Sequence, residues 1–182
     1  CHFMQKLEDE PRIEFENMSR SYDGLREMEF SQERFEAWCD GRTGYPLIDA
    51  CMRALKKHSW INFRMRAMLV SFSSYHLWLH WRQPAVYLAQ HFLDFEPGIH
   101  FSQFQMQSGT TGINTVRIYS PIKQVKDQDP SGEFIKRYVP ELTGVSEKHL
   151  AEPHKMTLDE QNRSGCWIGR DYPTPIVDHL TA

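Results

Sequence analysis

The chain has 182 residues, of which 40 % are apolar and 13 % aromatic, enough for one domain with a real core. Its formal charge of -3 gives no global signal for nucleic acid. Four scattered cysteines, Cys1, Cys39, Cys51 and Cys166, contain no CxxC pair and suggest neither a zinc nor an iron–sulfur site. No signal peptide or anchor segment is visible, so a reduced, cytoplasmic setting is expected. The sequence lacks an initiator Met and opens inside what reads as the end of a helix at residues 1–8, so a fragment of a longer chain is expected.

Residues 9–29 read as a loop broken by Pro11 and Gly24, with room for a short helix. Ser31 offers an N-cap, Phe30 and Phe35 occupy the positions of a hydrophobic staple, and Gly41 stops the helix after about Asp40. Pro46 suits the first turn of the next helix, whose apolar stripe is Leu47, Cys51 and Leu55. Lys56 and Lys57 favour its negative C-terminal end.

Residues 60–81 contain neither Pro nor Gly, and Ile61, Met65, Met68, Phe72, Tyr75 and Leu79 recur at steps of four and three. That spacing predicts one long amphipathic helix around which the chain is organised. Two arginines and two histidines make it too costly as a membrane span. Gln83-Pro84 opens another helix, with Ala85, Leu88, Ala89 and Phe92 inward. Periodicity stops at Asp94, and residues 94–121 read as a long irregular segment, rich in aromatics and of a kind usually functional. A short helix follows at 132–138, and the rest is polar and proline-punctuated. With no convincing strand and no repeat, the expected class is all-α.

Several groups carry candidate chemistry. No Asp or Glu lies between Asp49 and Asp94, whereas Arg53, Lys56, Lys57, Arg64, Arg66 and Arg82 do. Such a stretch is either a local phosphate-binding surface or a solvated helix face. Arg66 stands beside a buried face, where it either calls for an anion or reaches solvent along its aliphatic stem. Asp94, at the end of the following helix, can supply it. The pair would brace a planar polar ligand or form a salt bridge with none. His76 and His80 have metal-ligand spacing, but their Trp-rich context favours packing, and no metal is expected. Ser108 to Gly112 has the look of a phosphate-cradling loop but lacks the following Lys, and a tight turn fits better. Trp60, Trp78 and Trp81 suit a core, or an electron relay to a buried cofactor.

Seven stretches, taken in order, resemble the photolyase/cryptochrome family. They are WCDGRTGYPLIDACMRAL (38–55), WINFRMRAMLVSF (60–72), LHWR (79–82), FLDFEPG (92–98), GTTGINTVRIYSPIKQ (109–124), DPSGEFIKRYVPEL (129–142) and YPTPIVDH (172–179). The resemblance is to the C-terminal portion of that family's helical FAD-binding domain. It implies that residues 1–182 are a partial domain of this kind, without the antenna-binding domain and without the early part of the FAD domain. By resemblance, Arg66 stacks near the flavin ring of FAD and pairs with Asp94. Asp94-Phe95-Glu96 matches the acidic segment at the flavin's polar edge, with Glu96 where an aspartate is usual. Phe63 stands where the family has an asparagine near flavin and DNA, and Asn62 is a partial substitute. His100 takes the position facing flavin N5, where an imidazole can donate or accept and changes charge in the physiological range. The family's three relay tryptophans map onto Met28, Trp81 and Phe104, so the middle one alone is kept.

The resemblance implies light-driven repair of pyrimidine dimers in UV-damaged DNA by a photolyase-type lyase. His100 and Trp81 would serve the chemistry, and Lys56, Lys57 and Phe63 would meet DNA. A cryptochrome-like photoreceptor without repair activity is the alternative. A helical DNA-binding or structural domain without flavin is the third reading.

Overall fold

The computed structural model describes residues 2–113 and 118–178. Among them lie ten α-helices and no named strand. The first three are α1 (His2–Asp9), α2 (Gln32–Asp40) and α3 (Pro46–His58), with two 3₁₀ turns between α1 and α2. The caps that bound α2 and α3 act as the sequence suggests. Ser31 Oγ accepts from the Arg34 amide, and Gly41 leaves α2 in the left-handed region at φ 63°. The Phe30 and Phe35 rings lie 5.6 Å apart, as a staple requires. Pro46 opens α3, which is buried almost throughout and packs against α2, α4 (Phe63–Ser71), α7 (Pro121–Gln128) and α8 (Glu133–Tyr138).

The single helix expected at 60–81 is instead three pieces. Ser59 ends α3 at φ 57°, and Asn62 restarts the helix by accepting from the Met65 amide. After α4 a wider π turn covers Phe72–His76, and the chain departs at Trp78, whose φ is 56°. The cause is tertiary. Arg26, itself buried, lays its guanidinium over the Tyr75 ring at 5.0 Å and the Trp78 ring at 4.7 Å, while the Trp78 indole donates to Glu29. The apolar stripe still marks burial, since Ile61, Met68, Phe72, Tyr75 and Leu79 are all in the core. His76 and His80 consequently share no helix. Among the described residues no group of three or more His, Cys, Asp or Glu could hold a metal. No helix among them is long and apolar enough to cross a membrane.

The expected helix at 83–92 is α5 (Arg82–Ala89). The irregular segment expected from Asp94 is corrected too. Residues 97–108 form α6 (Pro97–Ser108), started by Glu96 and Pro97 and stopped by Gly109 at φ 80°. α6 packs against α1, α4 and α5, so it is buried on more than one side and shows no single apolar stripe. The turn expected after Ser108 is this C-cap, and Ser108 and Thr110 bond back to Gln105 within it. Ser120 caps α7, which the sequence pattern also concealed. Residues 114–117 of the stretch at 109–124, His179 of the stretch at 172–179, and Cys1 lie outside the described residues. Two further short helices, α9 (Glu147–Leu150) and α10 (Leu158–Ser164), precede the final segment. That segment is latched to the start of α3: Tyr172 donates to Asp49, Tyr45 donates to the Val177 carbonyl, and the Ile176 amide donates to Thr43.

Candidate functional site

Helices α4, α5 and α6, with the turn at 92–96, enclose a cavity of about 200 Å³. Its walls are mainly apolar and aromatic, and its polar side chains come from the turn and two of the helices. Arg66 projects from α4. Its Nη2 donates to both carboxylate oxygens of Asp94, at 3.0 and 2.9 Å, and its Nε donates to the Ile61 carbonyl at 2.9 Å. The guanidinium lies 4.1 Å from the centroid of Phe92. A planar cation held by an anion, a carbonyl and a ring has little freedom left. Its Nη1 meets no partner among the described residues, so it can donate to a ligand. Asp94 is half exposed, so the bridge positions Arg66 more than it stabilises the fold.

Glu96 also lines the cavity, but its two oxygens accept from the Gly98 and Ile99 amides, at 3.1 and 2.6 Å. It holds the N-terminus of α6 and places a negative charge where the helix dipole favours one. Phe63 and Phe95 line the same cavity, and Phe63 is 62 % exposed at its edge.

His100 sits one turn into α6 among the rings of Phe92, Phe95, Phe101 and Phe104, with centroids 5.2–6.0 Å away. Its Nε2 is 2.8 Å from the Ala85 carbonyl oxygen. A carbonyl only accepts, so Nε2 carries the proton and the neutral ring offers Nδ1 as an acceptor. Burial pushes the imidazole below its ordinary value; the Ala85 hydrogen bond opposes this and the Arg66 charge adds to it. Burial thus favours the neutral ring and moves the charge change that the resemblance placed in the physiological range to lower pH. A depressed value means that the unfolded chain binds this proton first as pH falls. The contribution of His100 to stability is therefore full above about pH 6.5 and is lost as pH falls through its lower folded value. Denaturant midpoints measured from pH 8 to pH 5 should fall more steeply for the native protein than for His100→Asn. Parallel slopes would contradict this assignment.

The other residues singled out in the sequence lie elsewhere. Asn62 caps α4 and does not line the cavity. Trp81 is fully buried, with its indole N–H donating to Asn17 Oδ1 at 2.8 Å, and also lies off the cavity wall. Of the other two positions that the resemblance matches to relay tryptophans, Met28 is 94 % exposed and Phe104 lines the cavity. Lys56 is paired with Asp40 at 3.0 Å, and Lys57 is exposed at the end of α3. Two polar cavity residues escaped the sequence reading, Gln103 and Gln107. Their signal was the four-residue spacing to each other and the three-residue spacing of His100 to Gln103, which is visible only once 97–108 is known to be helical.

An aromatic-walled cavity with an oriented Arg–Asp pair has the shape and donors to accept a planar polar ring. Comparison with known proteins gives its family. The chain belongs to the family described as the FAD binding domain of DNA photolyase, whose model matches residues 1–182. It is 35 % identical over 161 residues to the deoxyribodipyrimidine photo-lyase of Alkalihalophilus pseudofirmus, covering 86 % of this chain and 34 % of that protein. It is 35 % identical over 147 residues to the cryptochrome DASH of Gloeobacter violaceus, covering 80 % of this chain and 29 % of that one. The fold matches a bacterial class III photolyase from Agrobacterium tumefaciens with a TM-score of 0.90 at 31 % identity, covering 99 % of this chain and 38 % of that structure. It also matches an archaeal photolyase from Sulfolobus tokodaii, solved with two FAD molecules, with a TM-score of 0.87 at 32 % identity over 99 % of this chain and 39 % of that one. The chain thus spans about a third of the length of the relatives it matches.

Proposed function

We propose that this chain holds the flavin ring of FAD in the cavity between α4, α5 and α6, within a protein that repairs pyrimidine dimers in UV-damaged DNA by light. The supporting observation is the Arg66–Asp94 pair stacked on Phe92: it gives a rigid cation facing an apolar slot wide enough for a ring. The donor set suits a flavin. Aromatic walls cover a flat ring, Arg66 Nη1 meets an acceptor on its polar edge, and the buried Gln103 Oε1, which has no partner, calls for a donor. A cavity of about 200 Å³ is smaller than the ~300–1,000 Å³ of typical drug-sized ligand sites, so it takes a ring system and leaves the remainder of FAD to other parts of the protein.

When bound, FAD would supply the light-excited electron that dimer splitting requires. The residues here do the rest. Arg66 and Asp94 orient the ring, His100 presents an acceptor from a water-poor aromatic cage, and Phe63 extends the apolar surface to the edge where a flipped base would arrive. Lys57 offers a phosphate contact, and Lys56 does so only by giving up Asp40.

One observation favours a photoreceptor without repair activity. Two of the three relay positions hold Met28 and Phe104, neither of which donates an electron as readily as tryptophan, and Phe63 replaces an amide. An absorption spectrum of the complete protein, taken before and after illumination with a reductant, decides first. Flavin bands that bleach, together with light-dependent loss of dimers from DNA, are expected. Bleaching without dimer loss would move the assignment to a photoreceptor. No flavin bands after addition of FAD would leave a helical DNA-binding or structural domain.

A further inference from the structure

Helix α6 carries three glutamines at alternate positions, Gln103, Gln105 and Gln107. Their environments differ sharply. Gln105 is fully buried and well partnered. Its Nε2 donates to the Ile13 and Glu16 carbonyls at 2.8 and 3.0 Å, and its Oε1 accepts from the Met18 amide at 2.7 Å. It fastens residues 13–18 to α6. Gln103 and Gln107 are two residues to either side of it, so they leave the helix on another face. That face is the cavity wall, where they follow His100. Gln103 Oε1 is buried and meets no donor. Gln107 is only 8 % exposed, and its amide makes no hydrogen bond with the described residues.

A buried amide oxygen without a donor is costly, and packing does not explain why Gln103 places one on this wall with a second amide, Gln107, one turn further along it. Beyond Arg66, Asp94, Glu96 and His100 the remaining wall is apolar, and Leu or Met would fit it better. The helical rise of about 1.5 Å per residue puts Gln107 about 10 Å beyond His100 along the wall. The polar groups therefore run the length of a ring system and do not cluster at the Arg66 end.

We propose that Gln103 and Gln107 hydrogen-bond the flavin held in this cavity and fix its position along α6. This rests on the FAD reading above. Gln103 Oε1 takes a hydrogen bond from an N–H or O–H of the ligand. Gln107, further along, supplies both a donor and an acceptor. They are positioning residues, and no electron or proton passes through them.

The test uses the complete protein, stripped of FAD and titrated with it, as native sequence, Gln103→Leu, Gln107→Leu and Arg66→Ala. Each leucine is expected to weaken FAD binding about tenfold, the equivalent of one hydrogen bond, and to shift the flavin absorption bands. The FAD-free leucine variants should melt at the same temperature as the native protein or higher, because a stranded polar group has been removed. A purely structural role would instead lower the melting temperature and leave affinity alone. Unchanged affinity and unchanged bands in both leucine variants, with Arg66→Ala weakened, would overturn the proposal and mean that water satisfies the amides. If the native protein takes up no FAD, the FAD reading itself fails and this inference falls with it.

Discussion

Replacing Arg66 by alanine is expected to weaken FAD binding by about a hundredfold, or about 2.7 kcal/mol. Three losses combine. The donor at Nη1 disappears, and a hydrogen bond from a charged group is worth about 1.5–3 kcal/mol. The cation stacked 4.1 Å from Phe92 goes with it, opening the slot. Asp94 then keeps its charge at the cavity without the guanidinium that holds it 2.9 Å away. Arg66→Lys should recover only part of the affinity. An ammonium keeps the charge but cannot bond Asp94 and Ile61 while offering a further planar donor. The effect on folding should be small, because Asp94 is half exposed and solvent screens the pair. Titration of FAD-free complete protein, followed by flavin fluorescence, reads the affinity directly. A dissociation constant for Arg66→Ala within twofold of native would reduce the pair to a surface salt bridge.

What the sequence disclosed and what it concealed divide along a physical line. The ends of α2 and α3 were legible because their signals are local: Ser31 caps within three residues, Gly41 can turn left-handed, and Pro46 needs no amide partner. The Arg66–Asp94 pair was legible for another reason. An arginine beside an apolar face needs an anion, and the stretch after Asp49 contains none before Asp94. The break at Trp78 was not legible, because its cause is Arg26, about fifty residues earlier in the chain and brought over two rings by the fold. Helix α6 was hidden by its own success as a core element. Phe101 and Gln105 face other packed surfaces while His100, Gln103 and Gln107 face the cavity, so apolar and polar residues alternate without a 3.6-residue stripe. The tautomer of His100 depends on the Ala85 carbonyl of another helix, which no spacing rule could supply.

Asp49→Ala should be the most destabilising single change away from the cavity, at about 3–5 kcal/mol. The carboxylate is completely buried and accepts four hydrogen bonds: from the Thr43 amide at 2.7 Å, the Thr43 hydroxyl at 2.6 Å, the Gly44 amide at 3.1 Å and the Tyr172 hydroxyl at 2.5 Å. Burial pushes its carboxyl above the ordinary range, and the bonds from Thr43 and Tyr172 pull it back. Alanine would leave several donors facing one another without an acceptor, and each stranded donor costs about 1–3 kcal/mol before any water enters. Nor can the surrounding backbone close over the gap. Gly44 sits at φ 80°, and the site of its absent Cβ is only 2.5 Å from the Thr174 carbonyl oxygen, so the two segments already touch. Tyr172→Phe removes one donor and leaves the carboxylate three, so it should cost about 1–2 kcal/mol. The ranking tests how the latch reaches the cavity. Asp49 lies at the start of α3, and α3 packs against α4, the helix that carries Arg66. If the latch is a stability device alone, Asp49→Ala kept well below its melting temperature will bind FAD with native affinity. If it also sets the position of α4, affinity will fall in the folded protein, and Tyr172→Phe will show a smaller loss in the same direction. Equal melting temperatures for the two variants would mean that Tyr172 supplies most of the latch and that the Thr43–Gly44 turn holds its shape without the carboxylate.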